Sequence, residues 1–113
     1  MTEEHARELL ARERARVERA LAELAEREGT DELSHVDQHP ADYATELADA
    51  ELEQGLAEQL RDELEAIERA EQRLAQGAYG RSVESGKPIP DERLELIPWA
   101  ERTADEQAAF ERA

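Results

Sequence analysis

Cysteine is absent from this 113-residue chain, so disulfides and thiolate chemistry are excluded from the outset. Positive charge is scarce. Fourteen Lys and Arg face thirty Asp and Glu, and the net charge of −16 would be repelled by a nucleic-acid backbone. Direct DNA or RNA binding is therefore not expected, and a basic groove on a protein partner suits the chain better. No apolar run approaches the length of a membrane span, and the first residues hold no signal-peptide core. The chain reads as cytoplasmic, with no membrane partner. Aromatic residues make up 4% of the chain, and the single Trp and single Phe both lie after residue 76.

What is present is charge and helix-forming residues. A chain of this length allows one domain, or one small lobe with a long extension. A charged fraction of 39% can signal disorder, but regularly spaced Leu, Ile and Val among Ala, Glu and Arg argue for long helices instead. Residues 2–28 hold strong helix formers with no Gly or Pro. Leu10, Val17, Leu21 and Leu24 fall at steps of seven, four and three, the narrow stripe that a coiled-coil partner covers. This helix is expected to end near Gly29, at a length of roughly 40 Å. Residues 29–40 then break the pattern, and Pro40 suits the first turn of a second helix. That helix is predicted over about 41–76, with Leu52, Leu56, Leu60, Leu64, Ile67 and Leu74 as its stripe and Gly77 as its C-terminal cap. Two amphipathic helices joined by a short connection pack antiparallel. The fold class is thus mostly all-α: a coiled-coil hairpin over residues 1–76, with its tip at about 29–44, and a small module over 77–113.

In the module, Tyr79, Val83, Ile89, Leu94, Leu96, Ile97, Trp99 and Phe110 supply nearly all the large apolar groups, and they are expected to form one small cluster at the base of the hairpin. The stretch GAYGRSVESGKPIPDERLELIPWAERTADEQ, residues 77–107, has the glycines, prolines, apolar run and helical tail of a metal-stapled knuckle. It resembles the C-terminal zinc-finger motif of the DksA/TraR family of bacterial RNA polymerase regulators. Gly77, Tyr79 and Gly80 match the family's lead; Gly86, Ile89, Arg93, Leu94, Pro98, Trp99 and Ala100 match its body without a gap. The four cysteine positions carry Ser82, Ser85, Thr103 and Glu106. Neutral hydroxyls are poor zinc ligands and one carboxylate cannot complete a structural tetrahedral site, so no metal or other cofactor is expected. A lost structural zinc takes away an apparent ~10–16 kcal/mol of folding free energy, which the apolar cluster is expected to offset. Thr103 and Glu106 also spell a capping box, T-x-x-E, while Ser82 and Ser85 precede Gly86 in a pattern that can hydrogen-bond a turn.

The resemblance extends upstream. Residues 34–54, SHVDQHPADYATELADAELEQ, look like the family's coiled-coil tip and return helix, closest in wording to a bacillus-type branch. The resemblance implies that the tip enters the polymerase secondary channel and presents a D-x-x-D-x-A pattern near the catalytic magnesium. Asp42 stands at the second acid, Ala44 at the small residue and His39 at the first acid, with Asp37 two residues earlier. These four are the expected partner contacts. Read on their own, His35 and His39 with Asp37 and Asp42 have the spacing of a transition-metal site only in continuous helix, which Pro40 opposes.

No nucleophile with a positioned base, no phosphate-binding Gly loop and no paired-acid cleft is legible, so the chain reads as non-enzymatic. The function implied by the resemblance is a transcription regulator with RNA polymerase as partner. The alternative is a structural or adaptor coiled coil that keeps the scaffold alone. Oligomeric state stays open, with a monomer favoured.

Overall fold

Strong helix formers and a seven-residue apolar spacing lead, in a computed structural model, to four helices: α1 Glu3–Ser34, α2 Pro40–Ala75, α3 Asp91–Leu96 and α4 Ala104–Arg112. The all-α class is as expected. The structure describes the backbone of residues 1–34 and 40–113 and the side chains of 1–27 and 49–113. Among the described residues the only β pairing is an isolated antiparallel bridge between Arg81 and Pro88. No described helix is long and apolar enough to cross a membrane.

The expected stop at Gly29 does not occur, because α1 runs on to Ser34. A lone glycine in a helix interior costs only about 1 kcal/mol, which neighbouring helical turns absorb. α2 starts at Pro40, where the missing N–H is no loss. It ends in a Schellman motif: Gly77, at φ 74°, donates its N–H to the Leu74 carbonyl at 3.2 Å, and Ala78 donates to the Arg73 carbonyl at 2.8 Å. A side chain with a Cβ is strained at that φ, so the glycine sets the stop.

The chain forms two compact units, residues 16–64 and residues 1–15 with 65–113. In the 16–64 unit, Val17, Leu24, Ala57 and Leu60 are buried. Arg16 pairs with Glu63 at 3.3 Å and Arg27 with Glu53 at 3.4 Å, so the two helical segments run antiparallel. Leu52 and Leu56, expected on the buried stripe, are instead 78% and 46% exposed. The reason is geometric. Leucines repeating every four residues drift about 40° round a helix at each step, whereas the seam follows alternating steps of three and four. Ala57, one residue on from Leu56, takes the inward position.

In the other unit, Ala6, Leu9 and Leu10 of α1 and Ala66, Ile67, Ala70 and Leu74 of α2 are buried. Arg14 grips Glu71 with two hydrogen bonds, at 2.6 and 3.1 Å. The remainder of this unit carries its own cluster, Ile89, Leu94 and Ala100, with Tyr79 and Ile97 packed against it. Pro98 is also fully buried. The expected eight-residue cluster is therefore too large. Val83, Leu96 and Phe110 are 49%, 80% and 53% exposed. Leu96 lies two residues after buried Leu94, on the opposite side of a short helix, and α4 buries none of its residues. Apolar burial in this module is correspondingly less than the count of large side chains suggests. The Met1 amine–Asp91 and Arg69–Glu101 ion pairs, at 3.1 and 2.7 Å, and a hydrogen bond between His5 Nε2 and Glu95 at 2.6 Å tie the helices of the unit to the module.

Candidate functional site

Two turns of the module carry the four positions singled out by sequence. The first closes between Gly80 and Ile89, whose N–H donates to the Gly80 carbonyl at 2.8 Å. Within it, Ser82 donates its N–H to the Lys87 carbonyl at 2.8 Å and accepts from the Gly86 N–H on its own carbonyl at 3.0 Å. The Ser82 hydroxyl oxygen accepts from the N–H groups of Glu84 and Ser85 at 3.1 and 3.2 Å, and Ser85 Oγ accepts from the Lys87 N–H at 3.3 Å. Ser82 is 5% exposed, the one polar or charged residue in the described buried set. Both serines thus shape the turn, as their position before Gly86 suggested.

The second turn leads into α4. Thr103 is its N-cap: Thr103 Oγ1 accepts from the Glu106 N–H at 3.3 Å, and the Glu106 carboxylate accepts from the Thr103 N–H at 2.9 Å. The capping box read from T-x-x-E is formed. The two turns are fastened to each other. Val83 donates its N–H to the Glu101 carbonyl at 2.8 Å, and Arg102 Nε donates to Glu84 Oε1 at 2.8 Å. The Thr103 backbone N–H first, then the Ser85 and Ser82 hydroxyls, hold the Glu106 carboxyl at about 2, against an ordinary 4.5. The structure therefore sets Ser82 and Ser85 on one turn and Thr103 and Glu106 on the next, with the two turns fastened by the Val83–Glu101 and Arg102–Glu84 bonds.

Zinc in a structural site needs four strong donors, drawn from thiolates, imidazoles and carboxylates. Three neutral hydroxyls and a carboxylate already engaged by hydrogen bonds do not fit it. Among the described residues no group of His, Cys, Asp and Glu is placed to hold a metal.

At the other candidate site, Asp37 and His39, with His35, lie outside the described residues. Asp42 and Ala44 fall in the first turns of α2, and their side chains lie outside the described residues too. The possible grouping of His35, Asp37, His39 and Asp42 is likewise outside them.

Several contributors carried no local signal in the sequence. Arg102 lays its guanidinium 3.9 Å from the centre of the Phe110 ring while holding Glu84, and Arg93 Nε donates to the Arg102 carbonyl at 3.0 Å. Tyr79, read from sequence as apolar bulk, donates its hydroxyl to the Pro98 carbonyl at 2.8 Å. Each of these contacts joins residues eight or more apart and none lies within a single helix, so no spacing rule marks them.

With this geometry established, the chain can be set beside known proteins. The solved structure of the transcription factor DksA2 from Pseudomonas aeruginosa superposes with a TM-score of 0.71 at 31% identity, covering 97% of this chain and 83% of that one. The chain belongs to the DksA/TraR family. Two Bacillus subtilis proteins also match: general stress protein 16O, 42% identical over 81 residues, and the uncharacterized protein YteA, 43% identical over 74. These matches cover 71% and 66% of this chain. The chain spans half the length of the first and 31% of the second. No protein-family model matches the chain.

Proposed function

We propose that this DksA/TraR member regulates transcription by binding RNA polymerase, with the connection between α1 and α2 entering the secondary channel. The observation that carries this reading is the match to the transcription factor DksA2 across 97% of the chain. Asp37, His39, Asp42 and Ala44 are the proposed contacts. Carboxylates there would meet a metal or a basic loop, and the small Ala44 would let the partner approach closely. The acidic chain, at −16, suits basic channel walls. No DNA contact is required. The test is direct binding of the purified protein to core RNA polymerase, wild type beside Asp42→Asn and Ala44→Thr, at low and high salt. Salt-sensitive binding weakened by both substitutions supports the reading; binding indifferent to them, or none at tens of micromolar, rejects it.

A second reading is an adaptor coiled coil. It is favoured by His39 at the position of the first acid and by Leu52 and Leu56, exposed one helical turn apart on α2. Under this reading Leu52→Ala with Leu56→Ala would abolish partner capture while Asp42→Asn would not.

A further inference from the structure

Leu96 stands 80% exposed at the end of α3, two residues after Leu94, which is 2% exposed. It does not stand alone. A cleft of about 670 Å³ opens beside it, bounded by Pro88 and Pro90 on one segment, Leu96 and Ile97 on the next, and Ala104 at the start of α4. Its walls are fixed from within. Ile89, between the two prolines, is 3% exposed and donates its N–H to the Gly80 carbonyl at 2.8 Å, while Ile97 packs on the module's cluster and donates to the Arg93 carbonyl at 2.7 Å. The capping box holds the first turn of α4. The cleft is therefore preformed, and its volume lies within the roughly 300–1,000 Å³ of binding clefts. Apolar surface gathered in this way marks an interaction site.

Charge selects the occupant. Glu92 and Asp105 line the cleft together with Lys87 and Arg93, so the charges of the lining cancel. Those of its surroundings do not. α3 adds Asp91 and Glu95, the first turn of α4 adds Glu106, and the chain as a whole carries −16. This field repels a nucleic acid or an anionic lipid surface and draws in a partner that brings positive charge. Glu92 and Asp105 have no ion-pair partner among the described residues, which leaves both carboxylates open to one.

We propose that this cleft docks a protein partner through an amphipathic basic helix, whose aliphatic side chain enters between Pro88, Leu96 and Ile97 while its lysines or arginines reach Glu92 and Asp105. Such a helix-in-groove contact takes its affinity from the apolar anchor and its choice of partner from the charges at the rim. All the residues it uses belong to the 77–113 module, so it stands independently of the tip contacts proposed above.

The test is a titration of the ¹⁵N-labelled full chain with a synthetic amphipathic helical peptide of leucine and lysine, beside the same peptide with glutamate for lysine. The lysine peptide should shift the amides of Lys87, Leu96, Ile97 and Ala104, and the glutamate peptide should leave them in place. Leu96→Ser should weaken binding by at least about tenfold. Because Leu96 is exposed, this variant should fold as wild type does. Val83→Ser, which removes another exposed apolar side chain of the module, should leave the affinity unchanged. Glu92→Gln with Asp105→Asn should weaken binding several-fold and flatten its salt dependence. Shifts spread over the acidic faces of α1 and α2, equal binding of the two peptides, indifference to Leu96→Ser, or no binding at millimolar peptide would each overturn the proposal. So would cleft amides that shift with protein concentration alone, since a second copy of the chain would then be the occupant.

Discussion

Tyr79 Oη sits 2.8 Å from the carbonyl oxygen of Pro98 and donates its proton to it. This bond links the segment just after α2 to the buried proline that follows α3, across the Ile89, Leu94 and Ala100 cluster. Tyr79→Phe keeps the ring and removes the donor, leaving a buried carbonyl without its partner. The expected loss is about 1–3 kcal/mol, measured as a lower denaturant midpoint with an unchanged slope.

The same tyrosine makes the module sensitive to base. Burial, more than any charged neighbour, pushes the Tyr79 hydroxyl up to about 12 from an ordinary 10. The folded chain therefore holds this proton more tightly than the unfolded chain. The stabilisation is fully present below pH 10 and is lost as pH rises from 10 through 12. In a Tyr43→Phe background, ultraviolet titration should show a phenol ionising near 12 in the folded protein, and a midpoint near 10 would contradict the burial.

Acid should act on Glu106. Its folded value of about 2 lies below the ordinary 4.5, so its contribution is complete above pH 4.5 and is lost as pH falls through 2. Urea midpoints for wild type and Glu106→Gln should differ at neutral pH and converge as the pH approaches 2. A gap that stays constant over this window would mean that the carboxylate's charge plays no part.

Some of this was legible in sequence and some was not. The helices follow from local composition and from the spacing of Leu10, Val17 and Leu24, and the capping box from four consecutive residues. Helix propensity and capping are local, so a linear reading captures them. The exact seam of α2 was misread because alanines such as Ala57 and Ala70 occupy inward positions as well as leucines do, and composition favoured the leucines. The cluster of the module was overestimated because burial there depends on which turn faces which. The bonds from Val83 to Glu101 and from Arg102 to Glu84 join residues eighteen apart, through turns whose relative placement only the folded backbone supplies.

Core substitutions should separate the true seam from the expected one. Ile67 is fully buried and Leu52 is 78% exposed. Ile67→Ala should cost about 2–5 kcal/mol, from lost transfer energy and the cavity left behind. Leu52→Ala should change stability by about 0.5 kcal/mol or less, since an exposed site leaves no cavity. Thermal unfolding of the two variants side by side checks this, and equal losses would place Leu52 on the seam after all.

The placement of Ser82, Ser85, Thr103 and Glu106 on two turns fastened to each other can be tested by asking the turns to hold a metal. Four thiolates at these positions would present the donor set of a tetrahedral structural zinc site. The variant combining Ser82→Cys, Ser85→Cys, Thr103→Cys and Glu106→Cys should therefore bind one equivalent of Co²⁺ or Zn²⁺, with the Co²⁺ form showing thiolate-to-metal charge transfer. Without metal it should be less stable than wild type, because both the capping box and the hydroxyl bonds of the Ser82 turn are gone. Adding Zn²⁺ should more than restore it, since structural zinc contributes an apparent ~10–16 kcal/mol in small modules, and EDTA should reverse the gain. Binding of no metal, or of several equivalents weakly, would mean that the two turns do not hold these four positions at one centre. Stoichiometric binding would show that the backbone still has the shape of a metal site while its native side chains hold it together by other means.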